Sequence, residues 1–185
     1  NHFSNLGGSG GAISMLSSNV IGKSDFYTGA FPAEIGNATA AVFDLNFRDG
    51  NKDKPEYSVA LGTLGAEVSA EGPMDKQKRS SYLVNYRYST LALLKHVINL
   101  QGQSPDYQDL SFKFKWDSRK LGSFSLFGLG GYNKYSRESK KDSSKWDSDE
   151  PNLTDQRDNL YGVIGLSHQY FVNSDAYIKT AISGS

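Results

Sequence analysis

Apolar and polar positions alternate with a period of two along much of this chain, the signature of half-buried β-strands. In "LSFKFKW" Leu110, Phe112, Phe114 and Trp116 share one face, and Ser111, Lys113 and Lys115 share the other. In "YLVNYRY" Tyr82, Val84, Tyr86 and Tyr88 oppose Leu83, Asn85 and Arg87. In "LGAEVSAE" Leu64, Ala66, Val68 and Ala70 oppose Glu67, Ser69 and Glu71. Weaker alternation marks residues 57–61, 123–135, 160–170 and 176–182. The pattern predicts an all-β chain of about seven antiparallel strands, the count of a small sandwich or of one section of a barrel.

The connections add a second pattern. Those over residues 72–81, 117–122 and 172–175 are short, whereas 89–108 and 136–158 are long. The first hairpin, at Gly62 and Thr63, is the exception, being tight where a long loop would fit. Outer-membrane barrels have this asymmetry, with brief periplasmic turns and longer external loops, although a sandwich can acquire it by chance. Within the first long connection Leu91, Leu94, Val97 and Ile98 recur at helical spacing, which reads as a short helix or a further strand. Residues 136–150 gather Ser, Lys, Asp and Glu around Trp146 and read as a solvated loop tip.

Composition narrows the class. The 185 residues suffice for one ordinary domain. Lys plus Arg is 20 and Asp plus Glu is 20, a neutral balance that argues against nucleic acid as a partner. Cysteine is absent, which excludes disulfides, thiol nucleophiles and Cys-ligated zinc within this sequence. No apolar run approaches the roughly 18 residues of a transmembrane helix. That hydropathy suits a soluble protein, but a membrane barrel shares it, because only every second residue faces lipid. Eleven Tyr, ten Phe and 19 Gly keep the barrel in view. The opening "NHFSNLGGSGGAISML" has neither the basic nor the apolar region of a signal peptide, and "YIKTAISGS" stops inside an expected strand. Both ends read as those of a piece of something longer.

Candidate chemistry is sparse. "GGSGG" at 7–11 is followed by no Lys-Ser/Thr and no βαβ context, so it is not a phosphate loop. His2, His96 and His168 are too scattered for a metal site, and His168 reads as an interfacial aromatic beside Tyr170. Asp147, Asp149, Glu150, Asp155 and Asp158 lack the spacing of a calcium loop and read as a solvated acidic loop. No nucleophile–base arrangement or carboxylate pair is evident, so neither an enzyme nor a resident cofactor is expected.

One stretch fits no ordinary pattern. "FYTGAFPAEIGNATAAVFDLNFRDGN", residues 26–51, crowds Gly and Ala around isolated charges at Glu34, Asp44, Arg48 and Asp49. Pro32 fixes a turn after Phe31, "VFDLNF" alternates as a strand, and Asp49-Gly50-Asn51 supplies a turn. With the Gly-rich opening before it, this stretch resembles the end of the plug domain of TonB-dependent outer-membrane receptors. The resemblance continues through "LGAEVSAEGPMDKQKRSSYLVNYRYSTLALL", "PDYQDLSFKFKW" and "GSFSLFGLGGYNKYS", which resemble the first barrel hairpins of that family. It is closest to the subgroup whose chains carry a carboxypeptidase-regulatory-like domain ahead of the plug.

The resemblance implies a fragment of a plugged transmembrane antiparallel β-barrel: residues 1–51 from the C-terminal part of the plug, 52–185 from the first strands of the wall. The complete barrel would have 22 strands, so transport would belong to a longer parent. Small residues would let plug backbone approach the wall closely. An outer-membrane location is implied, with the lipid bilayer, an energy-coupling TonB-type protein and a surface lipoprotein as partners. Glu34 and Arg48 would either form part of an ionic latch with Glu67 and Glu71 on the lumen face or stand, like them, as solvated loop and wall charges. An imported nutrient would meet residues 89–108 and 136–158, its identity unspecified. The competing expectation is a soluble all-β binding module, for instance for carbohydrate, with its aromatics in the core. The two differ over whether a second sheet covers the Phe112/Phe114/Trp116 face, and whether residues 1–50 lie on the opposite side.

Overall fold

A computed structural model describes residues 16–29, 31–32, 35–36, 41–62, 65–90, 103–137 and 155–185. Within them the fold is all-β and antiparallel. A small sheet pairs β1 (Asp25–Tyr27) with β2 (Val42–Asp44). The large sheet holds β3 (Glu56–Leu61), β4 (Ala66–Pro73), β5 (Ser80–Tyr88), β6 (Gln103–Ser118), β7 (Gly122–Arg137), β8 (Asp155–Phe171) and β9 (Tyr177–Gly184). Its seven strands lie in sequence order, so every neighbour is joined by one up-and-down connection. β3 and β9 are edges, and among the described residues the sheet does not close into a barrel.

All seven expected strands are present, three of them longer than the apolar alternation indicates. β6, β7 and β8 run for 16, 16 and 17 residues. The stretch "VFDLNF" is a regular strand only over Val42–Asp44; beyond it Phe47 makes an isolated bridge to Ile21. The helix or strand expected over 91–98 lies outside the described residues.

The short connections are fixed by their own side chains. After β4, Asp75 accepts bonds from the Arg79 and Ser80 amides at 2.9 and 2.7 Å and from the Ser80 hydroxyl. After β6, Gly122 takes a φ of +81°, where a side chain would also run into the carbonyl of Gln169. After β8, the Val172 amide bonds the Ala176 carbonyl at 2.9 Å.

Register sorts the side chains into two unlike faces. One row pairs Glu67, Arg87, Asp109, Gly131 and Tyr161 across β4 to β8; another pairs Ser69, Asn85, Ser111, Leu129 and Val163. On the opposite face the rows read Phe114, Leu126, Leu166, Ile182 and Phe112, Gly128, Ile164, Gly184. Among the described residues the buried ones are mostly polar: Leu83, Val20 and Tyr107 are the buried hydrophobics, against buried Ser17, Ser69, Ser80, Ser81, Asn85, Ser89, Asp109, Ser111 and Asn133. Val59, Val68, Leu110, Leu160, Ile164, Leu166 and Ile182 are exposed. This inverts the arrangement of a soluble domain, in which large apolar side chains fill the interior.

The apolar face forms a band. Along β6 it runs from Gln108 to Trp116, nine residues, within the roughly 9–11 a membrane-crossing strand needs. At the end bearing the long connections the band stops abruptly: Asp106 pairs Lys134, which pairs Asp158. Tyr86 and Tyr132 sit just inside that edge, their hydroxyls donating to Gln108 and Asp158 at 3.0 Å each. At the other end Trp116, Phe124 and His168 share a row. The His168 ring stacks on Phe124 at 4.2 Å and bonds the Leu121 carbonyl at 2.6 Å. Tyr, Trp and His rings thus stand at both margins of the band.

Candidate functional site

The polar face is where the N-terminal segment lies. Its backbone makes a short two-stranded neck: the Gly22 amide bonds the Asn46 carbonyl at 2.7 Å, and the Arg48 amide bonds the Val20 carbonyl at 2.9 Å. The neck buries Val20 completely and sets Phe47 edge-on against Phe127 of β7, with ring centroids 6.3 Å apart. Gly50 passes so close to β5 that a Cβ there would strike the Tyr82 carbonyl. The chain then turns through Asn51, whose side chain accepts the Asp53 and Lys54 amides at 2.8 and 3.3 Å. The turn expected at Pro32 is present, its carbonyl accepting the Ile35 amide at 2.9 Å.

Arg48 and Glu71 meet directly. Nη1 and Nη2 of Arg48 each lie 2.7 Å from a Glu71 carboxylate oxygen, the planar fork matched to the planar acceptor. Nε of Arg48 donates to the Asn19 carbonyl at 2.5 Å, tying both strands of the neck to one guanidinium. Glu71 also accepts the Asn51 amide at 2.8 Å. The Glu71 carboxylate raises the Arg48 pKa above its ordinary value, against the opposing effect of burial.

Asp49 forms a second attachment. Lys113 and Lys115, two residues apart on β6, reach its two carboxylate oxygens at 2.8 and 2.6 Å. Lys113 also donates to the Phe47 carbonyl at 2.5 Å. Burial would push the Asp49 carboxyl upward, but bonds from the two ammonium groups outweigh it and hold the pKa below its ordinary 3.8.

Glu67 meets the segment through neutral donors. Its Oε1 accepts the Ser17 hydroxyl at 2.5 Å, the Asn19 amide group at 2.7 Å and the Asn85 amide group at 2.6 Å. Of the four residues expected to form an ionic latch, Arg48 and Glu71 come together as a pair and Glu67 holds polar caps. Glu34 lies outside the described residues. The Asp49–Lys113–Lys115 cluster was not anticipated as a contact. Its signal was present, since the alternation already set both lysines on the face assigned to the lumen.

A fourth polar group lies toward the long connections. Arg87 bonds Asp109 at 2.8 Å, with Asp109 almost wholly buried, and the Tyr161 hydroxyl donates to the same carboxylate. At the short-connection end Lys52 bonds Asp117 at 2.5 Å, and Ser123 donates to Asp117 at 2.6 Å. Among the described residues no group of three or more His, Cys, Asp or Glu side chains is placed to hold a metal ion. Asp155 and Asp158 stand on β8, whereas Asp147, Asp149 and Glu150 lie outside the described residues, as do His2 and His96.

No protein-family model matches the chain, and no curated protein or solved structure is significantly similar to it.

The arrangement can act as a release catch. Apart from the Phe47–Phe127 ring contact and the buried Val20, the attachments are charge-assisted contacts between one polar wall and one segment. Such contacts hold register firmly, yet they separate into water without exposing much hydrocarbon.

Proposed function

We propose that the chain is part of a TonB-dependent outer-membrane receptor that binds a nutrient and imports it actively. Residues 1–51 are then the end of its plug, and residues 52–185 the first strands of its wall. The observation that carries this reading is the inverted polarity of the sheet. The face open to the surroundings is apolar and edged by aromatic rings, while the face covered by the N-terminal segment is polar. Lipid would cover the first face and a wet lumen would contain the second.

The soluble binding module requires a cover for the Phe112/Phe114/Trp116 face. The small sheet does not supply one: its neck is fixed to the opposite face through Arg48, Asp49 and Phe47. In the receptor reading, an energy-coupling partner pulls the plug from the periplasmic side. The Arg48–Glu71 and Asp49–lysine contacts then favour the seated plug, and a pulled state lacking them lets the nutrient pass. Direction comes from the difference in affinity between those two states.

The test is to fractionate source cells and follow the native product with an antibody against residues 136–158. A heat-modifiable species in the outer-membrane fraction, several times larger than 20.3 kDa, is expected. Deleting the gene should abolish uptake of one scarce nutrient, and collapsing the inner-membrane proton gradient should have the same effect. A soluble product near 20.3 kDa would overturn the proposal.

A further inference from the structure

The two ends of the apolar band differ in charge. At the long-connection end the first polar row is mixed, Asp106 and Asp158 flanking Lys134. At the other end Lys76 and Arg79 occupy the connection after β4, and Arg119 and Lys120 the connection after β6, all four exposed. These connections are neighbours, because Ser80 pairs Trp116 and the Asp117 amide bonds the Arg79 carbonyl at 3.0 Å.

Three of the acidic groups at this end are already engaged, and Asp175 lies exposed on the connection after β8. Asp75 is capped by its own turn, Asp53 is bonded by Lys78 at 2.9 Å, and Asp117 by Lys52 at 2.5 Å. Among the described residues Lys76, Arg79, Arg119 and Lys120 form no ion pair, although Arg79 lies in the field of Asp75. Exposed apolar side chains stand beside them: Met74 and Leu121 on the same connections, and Trp116 at the margin of the band.

We infer that this rim is a docking collar for anionic glycerophospholipid headgroups in the leaflet at the short-connection end. The inference rests on the membrane-spanning reading. Met74, Leu121 and Trp116 mark the depth at which acyl chains give way to headgroups, the level favoured by amphipathic rings. Long Lys and Arg stems lie along apolar surface and carry their charge out to that level. A phosphodiester bearing net negative charge then meets four exposed cations that form no ion pair among the described residues. A zwitterionic headgroup offers the same phosphate but cancels it with its own ammonium.

The test uses the full native product in vesicles of phosphatidylcholine with a minor fraction of phosphatidylglycerol, extracted with its bound lipid and analysed by native mass spectrometry. A surface cation attracts an anionic leaflet by about a fivefold preference. Wild type should therefore retain phosphatidylglycerol at least about fivefold above its bulk share, with the excess lost at high salt. The K76Q/R79Q/R119Q/K120Q variant should retain the bulk ratio, whereas Lys134→Gln at the other rim should behave as wild type. Wild type that enters vesicles without any phosphatidylglycerol excess, or a quadruple variant that keeps the excess, overturns the collar alone. Protein that fails to enter these vesicles overturns the membrane reading and the collar with it.

Discussion

Replacing Arg48 by Ala removes the most connected contact between the N-terminal segment and the sheet. Two bonds to Glu71 and one to the Asn19 carbonyl are lost together. A fully exposed ion pair contributes about 0.2–1 kcal/mol, and breaking a buried one costs about 3–5. This pair lies between those limits, the side chains being 35% and 14% exposed, and Glu71 keeps the Asn51 amide as a partner. The expected cost to docking of the segment is therefore about 2 kcal/mol, or ~30-fold in its opening equilibrium. Hydrogen exchange reads this locally. The Gly22 and Arg48 amides, both bonded across the neck, should exchange ~30-fold faster, while amides at the centre of β6 and β7 keep their protection. Glu71→Gln should cost somewhat less, and the double substitution should fall short of the sum by about 1 kcal/mol. Additive effects, or unchanged exchange at Gly22 and Arg48, would refute the direct pairing as the hold on the segment.

Three further outcomes are expected. Because the Asp49 pKa is held below 3.8 in the folded state, its contribution is present above the ordinary carboxylate range and lost as pH falls through the depressed value. Neck protection should thus stay level from neutrality to about pH 5 and decline below about pH 4, and a decline centred near neutrality would contradict the assignment. Gly50→Ala drives a methyl into the Tyr82 carbonyl and should unseat residues 46–51, seen as loss of the Phe47 contact with Phe127 by NMR, with the large sheet intact. Ile164→Arg lies in the middle row of the apolar band and should destabilise the bilayer-inserted protein by about 2–4 kcal/mol in urea titrations; no change would argue against a lipid-facing position.

Much of the sheet was legible because a period of two fixes which side chains share a face, whatever the fold around them. Leu110, Phe112, Phe114 and Trp116 stand opposite Ser111, Lys113 and Lys115 as the sequence pattern requires. The strand ends were not legible. Beyond Gln108 in β6 and before Leu160 in β8 the outward positions turn polar, so alternation fades while backbone pairing continues, whereas β7 ends within two residues of where the pattern does. The Arg48–Glu71 pair could be narrowed from the sequence, because Glu71 shares a face with Glu67 and Ser69. Which acid the arginine selects could not, since that depends on where Gly50 lets the chain cross β5. The neutral capping of Glu67 by Ser17 and Asn19 was hidden for a different reason. Short polar side chains far apart in sequence leave no periodic trace.

In the proposed receptor the two faces of the sheet meet different media, lipid on one and the docked segment on the other. These 185 residues contain no cysteine, so once any cysteine elsewhere in the longer product is replaced, single Cys substitutions from Leu110 to Lys115 can each carry a spin label. In bilayers, positions 110, 112 and 114 should collide with oxygen and be shielded from a water-soluble nickel chelate. Positions 111, 113 and 115 should be shielded from oxygen, and deleting residues 1–51 should open them to the chelate. Chelate access at 110, 112 and 114, or no alternation along the strand, would contradict the account.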